Sequence, residues 1–177
     1  MIFQFIKLGF ILVSFLFIRC DSRPASRLTA FDGRDFEKSM HQDSDIFQTD
    51  KIVDGDTFWV LNQTGQKLKV RLIGIDAPET RNAFKKRKHP FGLASKEYLD
   101  DMLTQNPYIK LTFDVDSLDQ YGRTLAYAYL SDGTMINEQL IRNGYAVLMT
   151  VPPNIMFEEI FYDAQQTARA NKVGLWK

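Results

Sequence analysis

The chain has 177 residues, of which 45% are hydrophobic and 25% are charged, so it can form one soluble globular domain with a core. Its 22 basic and 22 acidic side chains give a formal net charge of zero, which excludes capture of polyanions by overall charge. Any affinity for nucleic acid must therefore come from local patches. The single cysteine excludes an internal disulfide framework.

Residues 1–20 form an apolar segment in which Lys7 and Arg19 are the only charges. A run of about 10 to 17 apolar residues suits a signal peptide better than a membrane span, which needs about 20. We therefore expect an exported protein, secreted or tethered to the outer face of the cell envelope, with an uncleaved membrane anchor as the alternative. Cys20 is either a lipid attachment point or the small residue at a cleavage site, and Arg19 is unusual before a lipidated cysteine.

Residues 21–45 are rich in Ser, Arg, Asp and Gln and show no sustained periodicity, which predicts a flexible tether. A short segment packed on the domain is the alternative. A compact domain is expected over residues 46–177. Its first part predicts three strands, at "KIV", "TFWVLN" and "KLKVRLIGID", separated by the turn signals "DGD" and "QTGQ".

Residues 93–103 change to a helical period, and their apolar face consists of Ala94, Tyr98, Leu99, Met102 and Leu103. Two more strands are predicted at "YIKLTFDV" (108–115) and "RTLAYAYL" (123–130). A short helix ending at Gly144 carries Ile136, Leu140 and Ile141. A final helix with Asn154 as its N-cap carries Met156, Ile160, Ala164 and Ala168. We expect the following aromatic side chains in the core: Phe113, Tyr127, Tyr129 and Trp176.

Five short strands with a helix after the third predict an α+β fold, a five-stranded OB-fold Greek-key β-barrel with three α-helices. Such barrels often bind nucleic acids or sugars, but the fold alone does not establish a function.

Charged residues cluster in three stretches that lie at predicted turns or strand ends. These stretches are "VDGDT" with Asp54 and Asp56, "RLIGIDAPET" with Arg71, Asp76 and Glu79, and "DQYGR" with Asp119, Tyr121 and Arg123. Each stretch alone is explained by ordinary turn chemistry. Together they supply carboxylates that can hold a hard cation and two arginines that can hold an oxyanion.

A phosphodiester is a target that needs this combination. A Ca²⁺ or Mg²⁺ ion between Asp56 and Asp76 could offset the charge of a phosphate oxygen. Arginine binds phosphate through two parallel hydrogen bonds, and Glu79 could take a proton from an attacking water. However, Arg71 and Asp76 are five residues apart, so a regular strand would place them on opposite faces. They can share a site only if the strand bends or bulges, for which Gly74 is a natural place, or if Asp76 lies beyond its end.

The stretches "VDGDTFWV", "RLIGIDAPET" and "DQYGRTLAYAYLSDGTMINEQLIRNGYA" resemble the thermonuclease family, also called the staphylococcal or micrococcal nuclease type. The resemblance covers about residues 47–177 in the same order and includes the terminal "VGLWK". It implies an OB-fold nuclease that uses Ca²⁺ to hydrolyse DNA and RNA and leaves 3′-phosphate ends. A non-catalytic OB module that binds oligonucleotides or protein partners is the alternative, and the retained charged set argues against it. We expect a monomer.

The resemblance also implies a role for each site residue. Asp56, Asp76 and the Ala77 carbonyl would hold the metal, Arg71 and Arg123 would hold the phosphate, and Glu79 would activate water. Asp54 would lie just outside the metal ligands, and Tyr121 would contact a terminal phosphate.

The chain departs from the family at three points. Ala77 replaces a frequent threonine, Gln120 replaces a lysine, and "LMTVPPN" lacks the tyrosines that line the family's nucleotide site. The basic run "KKRK" (85–88) is either a steering patch for nucleic acid or a solvated loop.

Overall fold

The structure is a computed structural model that describes residues 45–80 and 88–177. The predicted signal or anchor, nearly all of the predicted tether and residues 85–87 of the basic run lie outside these residues. Within the described ranges, no helix combines the length and the hydrophobicity that a membrane crossing requires.

In the described part of the chain, seven strands and three α-helices follow one another. The strands are β1 (Ile46–Asp54), β2 (Thr57–Leu61), β3 (Lys67–Leu72), β4 (Ile75–Asp76), β5 (Tyr108–Thr112), β6 (Thr124–Tyr129) and β7 (Val147–Leu148). The helices are α1 (Gly92–Gln105), α2 (Ile136–Arg142) and α3 (Glu158–Ala170), and a 3-10 helix spans Gly174–Trp176.

Five of the strands close into a barrel in the order β1-β2-β3-β6-β5. β3 and β6 run parallel, and the other neighbouring pairs whose register the structure gives are antiparallel. Closure pairs every barrel strand on both sides and leaves no exposed sheet edge. The barrel and the three helices confirm the predicted α+β OB-fold.

Alternation along the strands builds the core inside the barrel. In β2, Phe58 and Val60 are fully buried, whereas Trp59 between them is only half-buried. Each fully buried apolar side chain of this size contributes about 1.5–3 kcal/mol relative to its exposed state. Helix α1 contributes Leu99 and Leu103 to the same core, as its apolar period predicts.

Three predictions about the second half of the chain are wrong. β5 ends at Thr112, so Phe113 lies outside the strand and is 41% exposed. Asn154 is not the N-cap of α3, which begins at Glu158; its side chain instead bonds both the N–H and the carbonyl of Asp116, at 2.8 Å each. These bonds hold two loops together, and Met156 consequently lies outside the helix and is exposed.

The other core aromatics divide into two groups. Tyr127 and Tyr129 are buried, as predicted. Trp176 is only half-buried, and the guanidinium carbon of Arg169 lies 4.3 Å from its ring centroid. Phe161, which is 1% exposed, occupies the core position on α3 that the sequence interpretation did not assign.

Candidate active site

The turn between β1 and β2 carries Asp54 and Asp56 and packs closely against the rest of the site. A Cβ atom on Gly55 would lie only 2.8 Å from the Cβ atoms of Ala77 and Ser95. Glycine at this position therefore lets the acidic turn approach both the loop after β4 and helix α1.

Arg71 bridges two of the predicted metal carboxylates. Its position on β3 is opposite Thr57 on β2, which brings it beside Asp56. One terminal nitrogen of its guanidinium, Nη1, pairs with Asp56, and the other, Nη2, donates to Asp76 Oδ1 at 3.1 Å. Arg71 is 9% exposed and Asp56 is 6% exposed, so this charge cluster is largely removed from water.

The strand that carries Arg71 ends before Asp76, which resolves the objection from strand alternation. β3 ends at Leu72, and Gly74 has a φ of +77°, a conformation that favours glycine. The next two residues form β4, which pairs with β7 in a separate sheet instead of continuing β3. Asp76 therefore lies beyond the end of the strand that carries Arg71, one of the arrangements that the sequence left open.

Both oxygens of Asp56 accept hydrogen bonds from the surrounding chain. The Thr57 hydroxyl donates to Oδ1 at 2.8 Å, and the Ala77 N–H donates to Oδ2 at 2.8 Å. These bonds fix the orientation of the carboxylate and hold the main chain of Ala77 beside it.

Asp54 supports the loop that carries Glu79. Its carboxylate accepts hydrogen bonds from the N–H and the hydroxyl of Thr80, both at 3.3 Å, and from the N–H of Gly55 at 3.1 Å. Asp54 therefore contacts the residue that follows Glu79. This arrangement is compatible with the outer position that the family resemblance implies.

Glu79 lines a different cleft from the one that the two arginines share. It is half-buried and lines a cleft together with Asp76, Ala77 and His89. Its carbonyl accepts the N–H of His89 at 2.9 Å, and a Cβ atom on Gly92 would lie 2.3 Å from the same oxygen. The Glu79 loop is thus packed tightly against the start of α1.

Arg123 is held by Asp119 within the turn that precedes β6. Asp119 accepts the Arg123 Nε–H at 2.6 Å and the main-chain N–H groups of Tyr121 and Arg123 at 2.9 Å each. Burial raises the pKa of Asp119, but the hydrogen bonds from Arg123 and Tyr121 outweigh burial and hold it below its ordinary value. Because Asp119 bonds Nε, the two terminal nitrogens of Arg123 are the groups this pair leaves for a ligand.

The two arginines line one cleft of about 430 Å³, within the range of about 300–1,000 Å³ for small-ligand sites. Tyr121 stands at this cleft, is 74% exposed, and has its ring centroid 5.4 Å from the Arg123 guanidinium carbon. The cleft is also lined by Met149, Val151, Pro152, Pro153 and Asn154. The segment that lacks the family's tyrosines therefore lines the cleft with four apolar side chains and one amide.

The chemistry of the donors suits a hard cation, because Asp56 and Asp76 supply carboxylate oxygens. In this structure both carboxylates contact the Arg71 guanidinium, which lies between them. Over residues 45–80 and 88–177, no three side chains of Asp, Glu, His or Cys form a group that could hold a metal. A Ca²⁺ ion here would need a main-chain oxygen, which the family resemblance assigns to Ala77, and water as further ligands.

The structure also reveals a positioning residue that sequence reasoning missed. Asn137 on α2 is fully buried; it donates to the Ile73 carbonyl at 2.9 Å and accepts the Ala128 N–H at 3.0 Å. It therefore ties the turn before Asp76 to β6. The only sequence signal was an amide next to the apolar face of a short helix.

Comparison with known proteins agrees with this geometry. A family model described as staphylococcal nuclease homologue matches residues 69–177, a range that includes both arginines, Asp76 and Glu79. The chain is 33% identical over 146 residues to the thermonuclease of Staphylococcus intermedius, which covers 82% of this chain and 84% of that protein.

Two other relatives are also named as nucleases. The thermonuclease of Staphylococcus hyicus is 33% identical over 126 residues, covering 71% of this chain and 72% of that protein. Endonuclease YncB of Bacillus subtilis is 35% identical over 130 residues, covering 72% of this chain and 59% of that protein. This chain belongs to the staphylococcal nuclease homologue family.

Proposed function

We propose that the protein is a hydrolase that cleaves the phosphodiester bonds of DNA and RNA as a Ca²⁺-dependent endonuclease. It prefers single-stranded or breathing regions and leaves 3′-phosphate ends. The observation that carries the proposal is the cleft lined by both Arg71 and Arg123, in which Arg71 also binds two carboxylates. The thermonuclease and endonuclease relatives support the same reaction class.

The two guanidiniums that bind the phosphate lie in different surroundings. Asp119 fixes Arg123 through Nε, so its terminal nitrogens present two parallel N–H groups to an anion. Arg71 is nearly buried, so its charge acts on a bound phosphate with little screening by water. Tyr121, exposed at the rim of the cleft, contacts a terminal phosphate.

The carboxylates hold the cation, and Glu79 moves the proton. Asp56, Asp76 and the Ala77 carbonyl would hold Ca²⁺, which would offset the negative charge of the phosphate. Glu79 accepts a proton from the attacking water. Asp54 keeps the Glu79 loop in place through Thr80.

The test is cleavage of plasmid and heat-denatured DNA by the full chain, with Ca²⁺ and then with a chelator. Arg71→Met and Arg123→Met are each expected to lower kcat by about 100- to 1,000-fold, by analogy with loss of a transition-state donor. Glu79→Gln should lower kcat more than it raises KM. Arg142→Met is the matched control, because Arg142 pairs with Glu138 on α2 and lines neither cleft. Absence of Ca²⁺-dependent cleavage by the wild type contradicts the proposal.

We also propose that residues 1–20 direct export and that the mature protein acts as a monomer. The apolar segment with Lys7 near its start supports export. Mass spectrometry of the protein isolated from membrane and medium distinguishes a lipid on Cys20, a cleaved free form and an intact anchor. An intact chain found only in the cell interior contradicts export.

A further inference from the structure

A row of lysines and one tryptophan crosses the outside of the barrel, with Lys51 exposed and Trp59 and Lys69 half-buried. In the strand register, Trp59 of β2 lies opposite Lys51 of β1 and opposite Lys69 of β3. The neighbouring residues Phe58 and Val60 fill the interior, so alternation directs Trp59 outward. The Lys69 ammonium lies 5.9 Å from the centroid of the Trp59 ring.

Two clefts meet at this row. The first is lined by Trp59, Lys69 and Lys67 on one side and by Tyr121 and Arg123 on the other. The second lies beyond Trp59 and is lined by Lys51, Lys69 and Lys96, among others.

The first cleft is continuous with the active site. Leu118, Tyr121 and Arg123 line both this cleft and the cleft that holds the two arginines. A chain of clefts therefore leads from the phosphate-binding arginines, past Tyr121, to Trp59 and the lysines.

The charge along this path is positive although the whole chain is neutral. None of the described residues that line the two outer clefts is acidic. Lys67 is paired with Asp50 at 2.9 Å, so the effective cations of the outer path are Lys51, Lys69 and Lys96. Cations interleaved with aromatic rings favour a single-stranded polynucleotide, because phosphates bind the cations while unpaired bases stack on the rings.

We propose that this path, from Tyr121 through Trp59 to Lys51, binds the single strand that extends from the scissile phosphate. Trp59 is the stacking platform, and Lys51, Lys69 and Lys96 bind the backbone beyond the phosphate that Tyr121 contacts. The inference rests on the proposed nuclease function for its substrate, and it adds a preference for strands long enough to reach Trp59. A tryptophan–lysine pair that serves only to stabilise the sheet is the competing explanation.

The test measures binding without cleavage, so that it does not depend on catalysis. The full chain is titrated with a fluorescein-labelled single-stranded oligodeoxynucleotide of about fifteen residues in EDTA, and anisotropy is followed. Trp59→Ala is expected to weaken binding by at least about fivefold, the lower end for loss of one stacked base. Lys51→Glu/Lys69→Glu should reduce the slope of log affinity against log salt by about 1.4, which corresponds to two phosphate contacts.

Two further measurements separate stacking from stabilisation. An unlabelled oligonucleotide should quench tryptophan emission in the wild type and leave the emission of Trp59→Phe, which comes from Trp176, nearly unchanged. Lys172→Glu is the charge-matched control for the single variant Lys69→Glu. Lys172 lies just beyond α3, is exposed and lines none of these clefts, so binding by Lys172→Glu should equal that of the wild type.

The outcomes are distinct for the two proposals. If folded Trp59→Ala and the double lysine variant both bind with the affinity and salt dependence of the wild type, the proposed path is wrong, even if the protein cleaves DNA. If the wild type binds and is quenched but never cleaves, the path stands and the proposed catalytic function fails. Equal weakening by Lys172→Glu also overturns the path, because binding would then follow total charge alone.

Discussion

Asn137 links the fold to the site, and replacing it with alanine should lower the free energy of unfolding substantially. The side chain satisfies the Ile73 carbonyl and the Ala128 N–H, and both residues are buried, at 5% and 0% exposure. An unsatisfied buried polar group costs about 1–3 kcal/mol. Two such groups give a loss of about 2–6 kcal/mol, a large part of the roughly 5–15 kcal/mol that stabilises a typical domain.

Urea denaturation of the wild type and Asn137→Ala measures this loss directly, with nuclease activity followed in parallel. Ile73 lies in the turn between Arg71 and Asp76. We therefore expect a lower kcat in the folded protein as well. Asn171→Ala is the control, since Asn171 is exposed at the end of α3 and should change stability by no more than about 0.5 kcal/mol. A loss below about 1 kcal/mol with unchanged kcat would refute the reasoning, because the two orphaned groups would then have found other partners.

Two further predictions concern the loops beside the arginines and Glu79. The pKa of Asp119 is lowered by folding, so its stabilisation is present above the unfolded value of about 3.9 and is lost as pH falls through the folded value. Asp119→Asn should therefore be less stable than the wild type at pH 7, and the difference should shrink as the pH falls below about 3.9. A difference that stays constant over that fall in urea titrations contradicts the linkage. Gly92→Ala would place a Cβ 2.3 Å from the Glu79 carbonyl oxygen, so it should cost about 1–3 kcal/mol and reduce kcat, whereas Thr104→Ala on the same helix should do neither. If Gly92→Ala is as active as the wild type, the prediction is wrong, because the Glu79 loop would then move without any loss of catalysis.

The barrel was predictable because its information is local. Each barrel strand shows alternation or a β-rich composition, and the turns between the first three carry glycine or polar residues. The sequence did not predict features that depend on contacts between residues far apart in the chain. Asn154 has the chemistry of an N-cap, yet its amide satisfies the main chain of Asp116, which lies 38 residues earlier.

The sequence also nominated the charged residues of the candidate site. Chemistry and spacing named the residues, and the structure brings Asp56, Arg71 and Asp76 into direct contact. The sequence could not choose among a bend, a bulge and a strand end near Gly74, because all three use glycine in the same way. Nor could it show that Arg71 occupies the space between the two carboxylates. Side-chain direction beyond the end of a strand is set by tertiary packing.

The last α-helix, α3, provides that packing. A Cβ atom on Gly74 would lie 2.6 Å from the ring of Phe161, so α3 presses directly on the turn before Asp76. The Met149 N–H donates to the Gly74 carbonyl at 2.9 Å, and Gln165 accepts the Leu148 N–H at 3.0 Å. The sheet of β4 and β7 is therefore fixed to α3 on both strands. Because β4 carries Asp76, the position of this carboxylate relative to Arg71 depends on a helix that begins more than 80 residues later, which explains why local sequence alone cannot determine it.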